Sequence, residues 1–443
     1  MDGARRPPPE ALHHLFRGGL PVTPTELAPR FFIAVAVILL FCRLASWLLG
    51  KAGQPPVVSE MLAGVLLGPS LLGLLFPQVQ AWLFPAPLLP VLYVVGQVGL
   101  VLFMFQAGYA FKAHRVTRLA GTAGAVSLAG ITVPLLLGVL LVLVTADAVP
   151  IRPAGVAIGV SAAFVGVALA ITAFPMLARI ITERGHAGTR HGSLALASGA
   201  IDDLVAWIML AVVLAFASGE AGPAVVTAGG AVLFFLALWL GGGRVSGALM
   251  RSGRLDGRTR LLGTVALLFL VAWYTDEIGL YAVFGAFAVG VVMPRAERTD
   301  QVIETLTPVA SAVFLPLFFT FSGLRTEFGL LGDVRVLMFA GACVALAIVG
   351  KFGACWAAAR LRGEPGGVAL RVGILMNARG LMQLIALNVG LEAGIVNSSL
   401  FTVLVLVALV TTLMTTPLLT LVERLEARRA PAPSGEPEPV PVG

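Results

Sequence analysis

The chain has 443 residues, of which 58% are hydrophobic and only 12% charged, and its mean hydropathy is +0.95. That composition excludes a soluble domain and identifies a protein that crosses the membrane many times. The formal net charge of +7 does not point to nucleic acid, because the basic residues collect at the ends of apolar segments, as topology selection produces.

Residues 1–29, with ARRPPPE and the pair His13-His14, lack an apolar core followed by a small-residue cleavage site. They form an N-terminal segment rather than a removed signal peptide. About 20 apolar residues are needed to cross a hydrocarbon core of about 30 Å. By that measure residues 30–422 hold thirteen spans, at 30–49, 56–75, 87–109, 117–144, 154–180, 192–218, 223–241, 260–275, 278–294, 306–324, 335–360, 367–390 and 396–422. The eighth and ninth are separate only if Thr275-Asp276-Glu277 acts as a loop; otherwise the count is twelve. Residues 423–443, ending in PAPSGEPEPVPVG, read as a disordered tail with no room for a nucleotide-binding domain. Cys42, Cys343 and Cys355 lie in apolar runs without metal-type spacing and are expected to pack as small hydrophobes.

Alternate loops are basic, at Lys112/His114/Arg115/Arg118, Arg179/Arg184/Arg190, Arg244/Arg251/Arg254/Arg258/Arg260 and Arg360/Arg362/Arg371. The loops between them carry Asp147, Glu220, Asp276/Glu277, Glu327/Asp333 and Glu392. Basic loops face the cytoplasm, which places the N-terminus outside and the C-terminus inside, against the mild counter-signal of Arg5, Arg6, Arg17 and Arg30. With an odd span in the middle, the six spans on either side cross in opposite senses. That is the inverted-repeat plan of many secondary transporters.

Four places carry chemistry. In span five, Pro175 after Thr172 removes a backbone donor and disfavours helix before it, so the span is expected to be interrupted there. Freed carbonyls and hydroxyls at such a break can ligate a cation. In span six, Asp202 and Asp203 sit near the midplane, where an ionised carboxylate costs at least about 2.5 to 3.5 kcal/mol and persists for an ion, a pathway or a partner. Consecutive helix positions are about 100° apart, so one carboxylate can face a cavity while the other turns to a neighbouring helix. Two such groups oppose each other's ionisation, and a carboxylate that holds a proton can release it when a cation arrives.

Of 30 basic residues only three are lysines, and Lys351 lies inside VALAIVGKFGACWAAAR, roughly 14 Å at helical rise from Arg360. An ammonium can give up its proton and a guanidinium cannot, so a lysine here suits an ion pair with Asp202. In span twelve, Asn377, Arg379, Gly380 and Gln383 crowd an apolar segment, and Arg379 is placed to hold the ends of interrupted helices or repel cations. Glu60 is expected near the interface, and Gly64–Gly68 spacing permits close helix approach. Nothing resembles a phosphate-cradling loop, a zinc site or a nucleophile elbow, which argues against an enzyme or an ATP-driven pump.

The run AITAFPMLAR from Ala170 to Arg179, followed by GAIDD ending at Asp203, resembles the monovalent cation:proton antiporter-2 family of Kef-type and NapA-type exchangers. QPPVVSEMLAGVLLGPSLLG, FLPLFFTFSGLRTEF and MNARGLMQLI extend the resemblance over nearly all of residues 30–422. It implies an all-α membrane fold of about thirteen helices with two interrupted crossing helices, and a homodimer whose core moves like an elevator. It implies Asp203 as the main carboxylate for cation and proton, Asp202 as the neighbouring acid and Lys351 as its partner. Thr172 would stand in the first crossing helix, Asn377 and Arg379 in the second. The chain departs from the pattern at Tyr109 and Gln383, where relatives often carry acids. The expectation is a secondary antiporter exchanging sodium or potassium for protons, without cofactors, in the plasma membrane of a prokaryote. A gated cation channel and a transporter-fold sensor or scaffold are the alternatives.

Overall fold

The structure, a computed structural model, describes residues 24–110, 119–145, 148–186, 188–218, 221–253 and 255–429. The basic cluster at 112–118, Asp147, Glu220, Arg254, residues 1–23 and residues 430–443 lie outside the described residues. Among the described residues every regular element is a helix.

In chain order these are α1 (Pro24–Gly50), α2 (Pro56–Leu67), α3 (Leu89–Ala110), α4 (Ala120–Thr145), α5 (Ile158–Ala170), α6 (Phe174–Glu183) and α7 (Arg190–Ser218). Next comes α8, which runs Ala221–Ala237, passes through a π-helical turn at Leu238–Gly242 and continues as Gly243–Arg251. Then follow α9 (Gly257–Glu277), α10 (Ala282–Val292) and α11, which runs Glu297–Val309, a π turn at Ala310–Phe314 and Leu315–Leu324. The chain closes with α12 (Val334–Leu361), α13 (Gly366–Met376), α14 (Leu381–Glu392) and α15 (Ser398–Arg429). Two short helices, Leu72–Leu75 and Pro77–Leu83, lie between α2 and α3.

Nine of the described helices are long and apolar enough to cross a membrane, and α9, α10 and the paired segments α5–α6 and α13–α14 bring the passes to thirteen. Apolar side chains turn outward, among them Phe32, Leu40, Leu136, Phe216, Trp239 and Met338, as a lipid-facing surface requires. The eighth and ninth spans are distinct, but the reversal falls later than Thr275-Asp276-Glu277. Those three residues are the last turn of α9, and the chain reverses at 278–281, where Gly279 and Tyr281 take φ of 79° and 65°. Asp276 then accepts the Ala282 N–H at 3.2 Å and caps the start of α10.

The ends of the passes define two faces. One gathers Lys51, Arg184, Arg190, Arg251, Arg260, Arg362 and Arg371; the other holds Asp276, Glu327, Asp333 and Glu392 with Arg325 and Arg335. They are called here the basic and acidic faces. The α5–α6 segment starts at the acidic face and the α13–α14 segment at the basic face, so the two interrupted passes run in opposite senses.

The helices pack as two groups joined by α8. One, the scaffold, is α1, α2, α3, α9, α10 and α11; the other, the core, is α4 to α7 with α12 to α15. Within the scaffold, Gly64 and Gly323 let α2 and α11 touch backbone to backbone, since a Cβ on Gly64 would sit 2.4 Å from the Phe319 carbonyl oxygen. Gly68 meets the Gly323 carbonyl in the same way, so both members of the four-residue spacing are used.

Three sequence expectations need correction. Glu60, expected near a water-facing helix start, is buried on α2, five residues into the helix, because α2 is packed within the scaffold. Residues 423–429, expected to belong to a tail, continue helix α15 to Arg429. Its last turns are held to the core by Arg371–Glu426, Arg184–Glu423 at 3.4 Å and His186–Glu423 at 3.2 Å. At the other terminus, helix α1 already starts at Pro24, inside the segment expected to end at residue 29.

Candidate ion-binding site

The interruption in the first crossing pass is three residues, 171–173, and not Pro175 itself. Pro175 is the second residue of α6, a position whose backbone N–H would have no helical acceptor, so proline starts the new helix at no cost. The second interruption spans 377–380 and ends at Gly380, whose φ of 150° and ψ of −115° only glycine adopts readily. The two breaks meet. Ala173 N–H donates to the Ala378 carbonyl at 3.2 Å, and the Thr172 hydroxyl lies 3.0 Å from the Met376 carbonyl at the end of α13.

Each break leaves helix ends that need partners. At the C-terminal end of α5, Arg379 donates through Nη1 to the Ala168 carbonyl at 2.7 Å and through Nη2 to the Leu169 carbonyl. The Lys351 ammonium takes the Ala170 carbonyl at 2.5 Å. Two cations thus face the negative end of one helix dipole. Arg379 is itself anchored by α15, since its N–H donates to Thr412 Oγ1 at 3.0 Å and its carbonyl accepts from the same hydroxyl at 2.6 Å.

Asp202 and Asp203 diverge on α7. Asp202 turns into the core and collects three donors: Lys351 Nζ at 2.7 Å and Thr172 Oγ1 at 2.8 Å on Oδ2, and Ser127 Oγ at 2.5 Å on Oδ1. Both side chains of the Lys351–Asp202 pair are wholly buried, so Lys351 does not reach an interface. The Thr172 hydroxyl has one proton for two acceptors, Asp202 and Met376, and can serve only one at a time.

Asp203 has a different environment. Its Oδ1 accepts the Phe174 N–H at 3.3 Å, at the N-terminus of α6, where a helix favours negative charge. Its Oδ2 is buried without a hydrogen-bond partner among the described residues. The side chain lines a cavity of about 280 Å³ between α7 and the helices α3, α8 and α10, walled by Met104, Phe235, Leu238, Phe284 and Ala288. A buried carboxylate oxygen without a partner, on a side chain that borders a cavity, can take a proton or an alkali cation, and the neighbouring satisfied carboxylate cannot do so without losing partners.

Asn377 makes no hydrogen bond to either carboxylate among the described residues. It caps α13, its amide reaches only Met414 Sδ at 3.9 Å, and its Oδ1 has no hydrogen-bond partner among the described residues. Gln383 donates to the Leu404 carbonyl at 3.0 Å. Tyr109 hydrogen-bonds Asp300 of α11 at 2.7 Å, so an acid does stand beside this position, supplied by another helix. Sequence reasoning missed Ser127 and Thr412. Single hydroxyls in membrane helices ordinarily bond their own preceding turn, so neither residue carries a local signal.

The family described as "Sodium/hydrogen exchanger, transmembrane" matches residues 36–421. The Na(+)/H(+) antiporter NhaS4 of Synechocystis sp. is 33% identical over 389 residues, covering 87% of this chain and 95% of that protein. The K(+)/H(+) antiporter 1 of Saccharomyces cerevisiae is 31% identical over 411 residues, covering 88% of this chain and 46% of its own length. The chain therefore spans nearly all of the cyanobacterial relative and about half of the yeast one. Among solved structures, the sodium proton antiporter MjNhaP1 from Methanocaldococcus jannaschii aligns with a TM-score of 0.63 at 14% identity, over 90% of this chain and 99% of that one, which establishes the fold. The chain belongs to the transmembrane sodium/hydrogen exchanger family.

Proposed function

We propose that the chain is a secondary antiporter that exchanges a monovalent cation, sodium or potassium, for protons, with Asp203 as the group that carries either one. The observation behind this assignment is the contrast between the two aspartates: Asp202 has three donors, whereas Asp203 Oδ2 is buried with no hydrogen-bond partner among the described residues, on a side chain that lines a cavity. A carboxylate that binds one of two competitors couples their movement, because the loaded cation must leave before the proton returns. Lys351 and Ser127 hold Asp202, Thr172 joins Asp202 to the second crossing pass, and Arg379 fixes the end of α5. The exchanger works as a homodimer in a prokaryotic plasma membrane, with the basic face in the cytoplasm as loop charge directs.

In proteoliposomes with an imposed pH gradient, added sodium or potassium should dissipate the gradient, and Asp203→Asn should abolish that response. Full exchange by Asp203→Asn, or a gradient that no monovalent cation disturbs, would overturn the assignment.

A further inference from the structure

The cavity beside Asp203 extends along α7 from Trp207 to Ala197 and along α10 from Phe284 to Val291. Its wall on α7 includes Ala200 and Ala197, one and two turns from Asp203 toward the Arg190 end, and on α10 it reaches Val291 near the basic face. On the acidic side of Asp203, Trp207 lies with its ring 6.3 Å from that of Tyr281. Beyond them lies a separate space of about 20 Å³ between scaffold and core, lined in part by Tyr93, Gln97, Asp276, Asn388 and Glu392.

What closes that side is a set of polar contacts between the two helix groups. From the scaffold, Arg325 Nη1 reaches Glu392 Oε1 and Asn388 Oδ1, each at 3.4 Å, and the Tyr93 hydroxyl reaches Glu392 Oε2 at 3.4 Å. Asn388 Nδ2 in turn donates to Ser322 Oγ on α11 at 2.9 Å. Glu392 and Asn388 both belong to α14, the outer half of the second crossing pass, whose inner end is tied to α5 and α15 through Arg379.

We propose that Arg325, Tyr93 and Ser322 on the scaffold and Asn388 and Glu392 on the core form a latch that holds the acidic-face route to Asp203 shut. Its release exposes Asp203 to that face. This inference rests on the exchange reading above, since a carrier must open its sealed side to complete its cycle.

Two features suit these contacts to repeated opening. The Arg325–Glu392 pair is long and water-exposed, with side chains 29% and 41% exposed, so it is weak, unlike the wholly buried Lys351–Asp202 pair. Arg325 and Asn388 also keep a second contact within their own helix groups. Arg325 lies 4.5 Å over the Phe321 ring, and Asn388 Nδ2 also bonds the Leu384 carbonyl at 2.9 Å. Separation of scaffold and core therefore leaves Arg325 and Asn388 each with a remaining contact.

The test uses two thiol reporters, introduced one at a time into protein whose Cys42, Cys343 and Cys355 are replaced by alanine. Val389→Cys reports on the sealed side and Ala288→Cys on the cavity side. Labelling by a charged maleimide is followed in lipid nanodiscs. Arg325→Gln and Glu392→Gln should each raise the Val389→Cys rate roughly fivefold and lower the Ala288→Cys rate, the signature of a shifted two-state equilibrium. The charge-swapped pair Arg325→Glu with Glu392→Arg should return both rates toward those of the parent. Unchanged Val389→Cys labelling, or a rise at both reporters, would overturn the latch. Cation/proton exchange by the cysteine-free parent is measured in parallel. With exchange intact, unmoved labelling sinks the latch alone, whereas absent exchange sinks the carrier reading and the latch with it.

Discussion

Ala173 donates its backbone N–H to the carbonyl of Ala378 at 3.2 Å, so the two unwound segments are bonded to each other at the centre of the core. A similar arrangement recurs in both halves. Phe174 N–H donates to Asp203 on α7, the pass after the first break, and Arg379 N–H donates to Thr412 on α15, the pass after the second. One half has a carboxylate where the other has a hydroxyl. The carboxylate therefore lies on one side of an otherwise balanced crossing.

Arg379 is expected to be structural in a way that only its fork can satisfy. It supplies two donors to the Ala168 and Leu169 carbonyls, and hydrogen bonds from charged groups contribute about 1.5 to 3 kcal/mol each. Arg379→Gln should lower the melting temperature in detergent substantially, by an amount equivalent to about 3 kcal/mol. Arg379→Lys, which can serve one carbonyl well, should fall between the two. Equal melting of the lysine and glutamine variants would show that the second donor contributes nothing.

The buried pair Lys351–Asp202 predicts strong coupling between its members. Removing one partner of a buried pair typically costs about 3 to 5 kcal/mol, because the remaining charge is left without compensation. Asp202→Asn and Lys351→Gln should each destabilise the protein, and the double variant should be less destabilised than the sum by about 1 to 3 kcal/mol. Thermal unfolding of the four proteins in one lipid system closes the cycle. Additive losses would mean that the 2.7 Å contact carries no net interaction.

The legibility of this chain in its sequence follows the range of the signals. Thirteen passes, the aspartate pair and the interior lysine were readable because each is local, either an apolar run of spanning length or a charge placed inside one. The partner of Lys351 was inferred by chemistry and lies where that chemistry put it. Ser127 was not readable, since a lone serine in an apolar helix looks the same whether or not an aspartate 75 positions away faces it. The burial of Glu60 was missed for the same reason, because α2 is enclosed by helices from distant parts of the chain. The helical end of α15 depends on Arg184, His186 and Arg371, none of them near it in sequence.

Gly380 should tolerate no side chain. Its φ of 150° is closed to other residues, and a Cβ there would lie 3.0 Å from Met176 Cε and 3.4 Å from Met61 Sδ. Backbone strain of this kind costs about 1 to 3 kcal/mol. Gly380→Ala should therefore lower the melting temperature even though alanine is the smallest change available. Retention of wild-type melting would show that the break can re-form with ordinary dihedrals.

Asp333 gives a prediction in pH, because it lies outside the membrane at the start of α12. Its carboxylate accepts the Arg335 N–H at 2.8 Å as a helix cap and pairs with the Arg335 guanidinium at 2.8 Å. These contacts, the guanidinium first, hold its pKa below the usual carboxylate value. A carboxyl group with a lowered folded-state pKa binds fewer protons when folded than when unfolded across the window between the two values. Its stabilisation is therefore complete above about pH 5, well above the unfolded value of about 3.9, and is lost as pH falls through the folded value. Asp333→Ala should melt below the wild type at neutral pH, with the gap closing as the medium is acidified below about pH 4. Asp333→Asn keeps a capping oxygen and loses the ion pair, so its deficit should be smaller than that of Asp333→Ala. A gap between wild type and Asp333→Ala that stays constant from neutral pH to pH about 3 would mean that the ionised form contributes nothing to the folded state.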